Sequence, residues 1–496
     1  MDSFISKLKC TKCGKKYESQ IDVTTCPKCD AILEVVYTLE KIREHISAAG
    51  LEHRPPGVWK YFEFLPLLNK SNIVSLGEGG TFLHKCDRLA RKIGVRDLYL
   101  KDETKNPTGA FIDRGTTVEI SKVKESGLKS VCCGTTGNLG ASLAAYAARA
   151  GLACKIFLPQ RVDVGKFYQI IAYTVDVEIA KDREDATKKA VSESNYSHLV
   201  MPNNPYFLEG EKTTAYEICE QLGWTLPDQI IVPMGTGGHL SMIWKGISEF
   251  YQTDLLKTKA VKLVGTQAEG CDPIAETFQK SSRKIIPANK ASTIAIDISV
   301  KNPQCGQLAL QAIRESKGTA VSVSDKEIVD AVSLLARLEG IFAEPASATT
   351  VAGLKKHVDE GNIDYSDKVV CVITGMGLKY PEVTQDLVKG SRKLEGLLKL
   401  IERRKYSTSL GKTKMYILQI LSRKESYGYE IWKILDEKFG TKVKLPSVYQ
   451  HLAELESGSL LAQSKSEQVL GKPDRNYYKL TEKGKTVLIQ LKNLTA

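Results

Sequence analysis

From about residue 97 to residue 373 the chain alternates short apolar runs with longer segments of helical period. The runs at 97–100, 129–133, 155–159, 174–180, 198–202, 229–234 and 368–373 have strand length, and most are rich in Val, Ile, Leu or Cys. Helical segments follow several of them: from Phe111 onward, through an Ala-rich run to Ala150, and over 240–250. Asn106-Pro107-Thr108-Gly109 is turn chemistry between one such strand and its helix. This rhythm predicts an α/β body with mostly parallel sheets. Before it, 39–66 reads as a helix-and-linker segment broken by Pro55-Pro56-Gly57. After Pro381 an amphipathic run over 384–404, ending in Arg403-Arg404-Lys405, predicts a connecting helix. Helices are then expected over 413–421 (apolar at Met415, Ile417, Leu418 and Leu421), from Ser426 to Phe439-Gly440, and from Pro446 to Glu456. A strand at 460–464, a polar stretch turning at Gly471-Lys472-Pro473-Asp474, a strand at 475–480 and a helix capped by Thr481 complete the pattern. Three helices, a hairpin and a helix make a winged helix-turn-helix.

Composition adds limits. A chain of 496 residues is too long for one ordinary core, so two to four domains are expected. No apolar run approaches the roughly 20 residues that a membrane helix needs. Residues 1–9 hold no signal-peptide core, so a cytoplasmic protein without membrane partners is expected. The net charge of +12 is uneven: residues 405–496 carry 16 Lys and Arg against 9 Asp and Glu, leaving +5 for the rest. A basic C-terminal fifth points toward nucleic acid, against the alternative of a merely solvated face.

Four of the twelve cysteines carry the most specific chemistry. Cys10-Thr11-Lys12-Cys13 and Cys26-Pro27-Lys28-Cys29 are two CxxC knuckles twelve residues apart, the spacing of a tetrahedral zinc site. Four thiolates leave no position open for water, so the zinc expected on Cys10, Cys13, Cys26 and Cys29 is structural rather than catalytic. The other eight cysteines lie in apolar segments and read as inert core thiols. Two glycine-bearing strand-to-helix loops are candidate anion sites. These are Thr135-Thr136-Gly137-Asn138 and Gly235-Thr236-Gly237-Gly238-His239, where backbone N–H groups and a helix dipole converge. Either could equally be a tight connection.

The order of motifs resembles threonine synthase, a pyridoxal-phosphate (PLP) enzyme of fold type II. The resemblance runs over about residues 8–392, and threonine synthases often begin with a zinc ribbon. It is carried by Gly77-Glu78-Gly79-Gly80-Thr81, Asn106-Pro107-Thr108-Gly109-Ala110-Phe111-Ile112-Asp113-Arg114-Gly115, the two anion loops, Asn203-Asn204-Pro205 to Thr213, Glu344-Pro345-Ala346-Ser347-Ala348 and Thr374-Gly375-Met376-Gly377. It implies a two-lobed PLP body over 76–383, after a zinc ribbon (1–38) and a helical linker segment (39–75), and before the connecting helix (384–411). It also implies roles. Thr135, Thr136 and Gly137 grip a substrate carboxylate, Asn138 meets the cofactor's ring hydroxyl, and Gly235, Thr236, Gly237, Gly238 and His239 form the phosphate loop. His239, where the family tends to have Asn, is given no chemistry of its own. Thr374 meets the pyridine nitrogen. The family's Schiff-base lysine falls at Ile112, so no catalytic residue is assigned. Ala110, Phe82, Leu139, Thr236, His239 and Met376 depart from the family pattern as well. Lys101 and Lys105 are not where the helix start aims residue 112, so rescue by either is not expected.

The segment 412–496 resembles the PadR-like regulators through Tyr427-Gly428-Tyr429-Glu430-Ile431, Ser447-Val448-Tyr449 and Tyr478-Lys479-Leu480-Thr481. By that resemblance Ser447, Gln450 and His451 approach base edges, and Lys442, Lys444, Lys472 and Arg475 meet phosphates; docking to protein is the alternative. Together these expectations describe a non-catalytic, ligand-sensing, DNA-binding transcriptional regulator. Its ligand would be amino-acid-like, phosphorylated, or PLP held without a Schiff base at residue 112, and it would act as a homodimer. The alternative is a working threonine synthase, converting O-phosphohomoserine to threonine and phosphate, with a regulatory tail.

Overall fold

The computed structural model describes residues 4–19, 23–160, 162–387, 394, 410–469 and 472–492. The chain divides into two compact units, Met1–Leu387 and Val388–Ala496. Most of the expected connecting helix at 384–411 lies outside the described residues; Val383–Leu387 is helical.

The first unit contains two sheets built as the alternation predicts. In the larger, six strands run in the order Thr319–Val323, Lys262–Ala268, Gln229–Pro233, Lys368–Ile373, Asp97–Asp102 and Leu83–Lys85. All neighbours are parallel except the last pair. The strands at 262–268, 319–323 and 83–85 are additions to the sequence reading. The smaller sheet is wholly parallel, in the order Asp176–Ala180, Ala153–Pro159, Ser130–Gly134, His198–Leu199. Parallel strands covered by helices need apolar residues on both faces. Gln229–Pro233 is accordingly buried at every position.

The N-terminal residues form a three-stranded antiparallel sheet, Lys16–Tyr17, Ile5–Cys10 and Leu33–Tyr37. It packs on the helix Pro205–Glu211: Ile32 shares an apolar cluster with Leu208, and Tyr37 donates from its hydroxyl to Glu209 Oε2 at 2.9 Å.

One polar cluster holds the first unit's elements together. Arg114 is fully buried, two residues into the helix Ile112–Glu125. Its guanidinium donates to Glu103 (2.6 and 2.8 Å) and to Glu217 (2.7 and 2.7 Å), and to the hydroxyls of Thr81 and Thr213, both at 3.0 Å. Lys101 Nζ adds bonds to Glu217 (2.7 Å), Thr81 O (2.8 Å) and Gln221 (2.9 Å). Burial raises the Glu217 carboxyl, but Arg114 and Lys101 outweigh it and hold the group well below the usual carboxylate range.

The second unit is helix Lys412–Leu421, helix Gly428–Phe439, helix Leu445–Ser457, a hairpin and helix Glu482–Lys492. The hairpin departs from the sequence reading. Its strands run Leu461–Val469 and Lys472–Leu480, so the stretch read as polar connection is strand, pairing Lys465 with Tyr477 and Glu467 with Arg475. An exposed wing shows water both faces, and polar residues there lack the alternation that marks a half-buried strand. Gly428 is required where it stands, since a Cβ would collide with the Tyr449 ring.

Arg114→Met leaves two buried carboxylates facing each other, and is expected to cost about 3–5 kcal/mol, read as a lowered denaturant midpoint. The cluster's depressed Glu217 contributes stability that is complete above an unfolded carboxylate pKa of about 4.3 and is lost as pH falls toward the folded value. Wild type should therefore lose more stability on acidification than Arg114→Met.

Candidate active site

The strand Asp97–Asp102, the turn after it and the start of helix Ile112–Glu125 are locked to the end of strand Lys368–Ile373. Phe111 N donates to Thr374 O at 2.9 Å, and Met376 N to Gly109 O at 2.9 Å. Gly109 takes a φ of +76°, which favours glycine. Residue 112 and Thr374 therefore face one cavity of about 200 Å³. Thr135, Thr136, Asn138 and the whole of Gly235-Thr236-Gly237-Gly238-His239 line it too. Gly137 supports the wall from behind: its φ is +143°, and a Cβ there would collide with the side chain of Lys166.

The two ends of the Asn138 amide are both held. Nδ2 donates to Glu344 Oε2 at 3.1 Å, and Oδ1 accepts from Lys379 Nζ at 3.0 Å. The second Nδ2 hydrogen remains for a ligand oxygen. Thr374 shares a 2.8 Å hydrogen bond with Ser347, whose hydroxyl also accepts from Gly375 N at 2.7 Å. Burial, then the nearby Asp297, pushes Glu344 up to about 7 against the opposing pull of Lys166 and Lys379. His239 is stacked on Phe111, ring centroids 4.2 Å apart, and burial pushes it down to about 3, so it is neutral.

Sequence reasoning assigned no role to two buried lysines that the fold brings beside this cavity. Lys166 Nζ lies 2.6 and 2.8 Å from the Asp297 oxygens, 3.2 Å from Asp163, and over the Tyr380 ring. Burial lowers its pKa, but Asp297, Glu344 and Asp163 outweigh this and hold it charged, above the usual lysine value. Lys379 is held below that value by burial, against the opposing pull of Glu344 and Asp113. Nothing local to 164–172 marks Lys166, because Asp297 is distant in sequence. Lys101 is spent in the Arg114 cluster, and Lys105 is exposed, 3.9 Å from Asp102. The other cavity groups missed in the sequence are Arg183, Glu211 and Asp297.

The metal candidate is as compact as its spacing predicts. One Sγ from each of Cys10, Cys13, Cys26 and Cys29 lies within 4.8 Å of the others. Cys10 and Cys29 are 3.5 Å apart and Cys13 and Cys26 3.7 Å, near the roughly 3.8 Å that a tetrahedron of about 2.3 Å Zn–S bonds demands. The N–H groups of Lys12 and Cys13 point at Cys10 Sγ (3.4 and 3.3 Å), which favours the thiolate.

In the second unit, Lys442, Lys444 and Gln450 are exposed, while Ser447 and His451 are partly buried on or beside the helix Leu445–Ser457. Gln450 donates to Glu454 at 3.0 Å, and Lys414 Nζ also reaches that carboxylate at 2.6 Å. Arg475 lies over the Tyr427 ring at 4.9 Å. Lys472 begins its strand, but its side chain is outside those described.

Sheet order, glycine loops and the cavity-lining Asn138 and Thr374 are consistent with the body of a PLP-type fold. The family model for pyridoxal-phosphate dependent enzymes matches residues 74–375, and that for the transcriptional regulator PadR-like family matches 417–490. Among solved structures, maize serine racemase superposes with a TM-score of 0.53 at 22% identity, covering 62% of this chain and 92% of that one. Diaminopropionate ammonia lyase from Escherichia coli gives 0.55 at 17%, covering 66% and 96%; both establish the fold alone. Threonine synthase of Methanocaldococcus jannaschii is 45% identical over 75% of this chain and 93% of its own length. That of Methanosarcina acetivorans is 42% identical over 77% and 94%. The chain belongs to the threonine synthase family and carries a PadR-like domain at its C-terminus.

Purified protein is expected to hold one zinc per chain, measured by elemental analysis. Cys10→Ser should abolish that stoichiometry and lower the thermal midpoint; full occupancy in this variant would count against a four-thiolate site.

Proposed function

We propose that this protein is a non-catalytic relative of threonine synthase that senses a ligand in the old active site and acts on DNA through its winged helix. The observation that carries the reading is Ile112. PLP, when bound through a lysine, supplies an electron sink for carbanions at Cα, and that lysine also shuttles protons. An isoleucine offers neither an amine nor a proton. It presents methyl groups to the cavity at the position where the family's chemistry is done.

The remaining residues fit non-covalent binding. Asn138 has an amide hydrogen to spare for a ring hydroxyl, Thr374 has a hydroxyl for a ring nitrogen, and the Gly235–Gly238 loop offers backbone donors to a phosphate. Lys166 is neutralised by Asp297 and Asp163, so its ammonium orders the Gly137 wall rather than attacking a carbonyl. The structural zinc holds the N-terminal sheet against the helix Pro205–Glu211. Gln450, Ser447 and His451 read base edges, with Lys442, Lys444, Lys472 and Arg475 on phosphates, in a homodimer that spans two half-sites.

A second reading, an active threonine synthase, is favoured by one observation. Lys379 reaches Asn138, which lines the cavity, and burial holds its amine below the usual lysine value, so a lysine of lowered basicity stands beside the cavity wall.

The two readings separate spectroscopically. With PLP added, wild type should show no Schiff-base absorbance band, and borohydride should fix no cofactor to the chain. Ile112→Lys should gain both. A reduced adduct mapped to Lys379 in wild type would favour the enzyme reading. Binding to its own promoter region should weaken steeply with salt; affinity insensitive to salt would indicate protein docking instead.

A further inference from the structure

The cavity contains a carboxyl group that the reading above leaves without a role. Glu211 ends the helix Pro205–Glu211, is 2% exposed, and lines the cavity. Its Oε2 has no hydrogen-bond partner among the described residues. The oxygen lies against the glycine loop, 3.2 Å from where a Cβ on Gly238 would stand. The 15-residue helix Gly238–Gln252 begins there and turns its N-terminal end to the same space. His239 Nδ1 is a second buried atom without a partner at this end, its Nε2 being 3.0 Å from Thr214 Oγ1.

The charged neighbours are all engaged elsewhere. Lys212 turns away to Glu209 and Glu249. Arg114, whose carbonyl packs against Gly210, gives its guanidinium to Glu103 and Glu217. Arg183, on the cavity wall, donates to Ser299 O at 2.9 Å and feels Asp297. Cys305, on the neighbouring helix, is pushed up by burial and then by Glu211 itself, so it stays a neutral thiol. Burial alone pushes the Glu211 carboxyl well above the usual range. A buried carboxyl with no cation keeps its proton at neutral pH and becomes a donor.

We propose that Glu211 donates its proton in a hydrogen bond to a phosphoryl oxygen seated on the Gly235–Gly238 loop, so that the cavity takes phosphate monoesters and releases them as Glu211 ionises. This rests on the reading of that loop as a phosphate site. Once ionised, the carboxylate faces the ester dianion and repels it, so affinity is high below the folded pKa of Glu211 and falls above it. His239, already neutral, does not titrate in this window, whereas Glu344, on the same cavity wall and pushed up to about 7, ionises at its lower end in wild type and variant alike.

The test is calorimetric titration of the full chain with pyridoxine 5′-phosphate, which has no aldehyde to react with a lysine. It is repeated at rising pH from neutral up to the limit of the folded state, a range over which a phosphate monoester, with its second pKa of about 6, is already dianionic. Wild-type affinity should fall about tenfold or more across that range. Glu211→Gln, which keeps a donor of the same size but cannot ionise, should lose most of that fall and keep only the part set by Glu344. Glu211→Ala should bind about tenfold more weakly than wild type at neutral pH, with circular dichroism confirming the fold. An equal fall with pH in wild type and Glu211→Gln overturns the role of Glu211 while leaving the phosphate loop standing. No binding by wild type at any pH overturns both.

Discussion

Arg114 is the constraint on which the first unit depends. Its guanidinium satisfies carboxylates from the turn after strand Asp97–Asp102 and from helix Thr213–Gln221, and hydroxyls from the opening loop and the start of that same helix. A charge with no exposure persists only if nearly every donor is used, and six contacts to two carboxylates and two hydroxyls on three segments leave one arrangement. Because Arg114 is two residues beyond Ile112, the cluster also sets where residue 112 points. The mouth of the cavity is positioned by buried electrostatics rather than by the loops that line it.

Within that frame, the cradle and the chemistry have come apart. Asn138 is oriented by Glu344 and Lys379, Thr374 by Ser347, and the glycine loops are kept open because side chains would collide with Lys166, Leu208 or Glu211. These are the groups that would hold a ligand's ring, nitrogen and phosphate. At residue 112, where the motif resemblance places the family's lysine, stands an isoleucine. A pocket ordered by this many buried polar contacts retains its shape at an energetic cost, which is consistent with the proposed role in binding.

The helix Pro205–Glu211 connects two of the chain's features. Its Glu209 is bonded to Tyr37 of the N-terminal sheet and to Lys245, whose Nζ also reaches Val35 O at 2.6 Å, while Glu211 faces the cavity. The N-terminal sheet that carries the four cysteines and the cavity are thus separated by a single seven-residue helix. In the second unit the equivalent organising contact is apolar: Ile417, Leu418, Ile431, Val448 and Leu452 form one core, and Gly428 lets the Tyr449 ring pack close.

Many local signals were legible along the chain, though the strands at 83–85, 262–268 and 319–323 were not. Alternating period marked the parallel strands, because burial on both faces demands continuous apolar runs. CxxC spacing marked the thiolate cluster, because a knuckle turn fixes the distance between its two sulfurs. Glycine loops and the order of motifs identified the family and the place of Ile112. What the tertiary structure alone decided was pairing across distance. Lys166 with Asp297, Lys379 with Asn138, and Arg114 with Glu217 are 131, 241 and 103 residues apart, and no short-range pattern encodes such partners. The environment of Glu211 is of the same kind, since the cations near it, Lys212, Arg114 and Arg183, are each engaged with partners from other segments. The wing was misjudged for a related reason: only its base, at Leu461, Tyr478 and Leu480, reaches the apolar core, and the polar middle is made strand by pairing across the hairpin rather than by hydrophobic period.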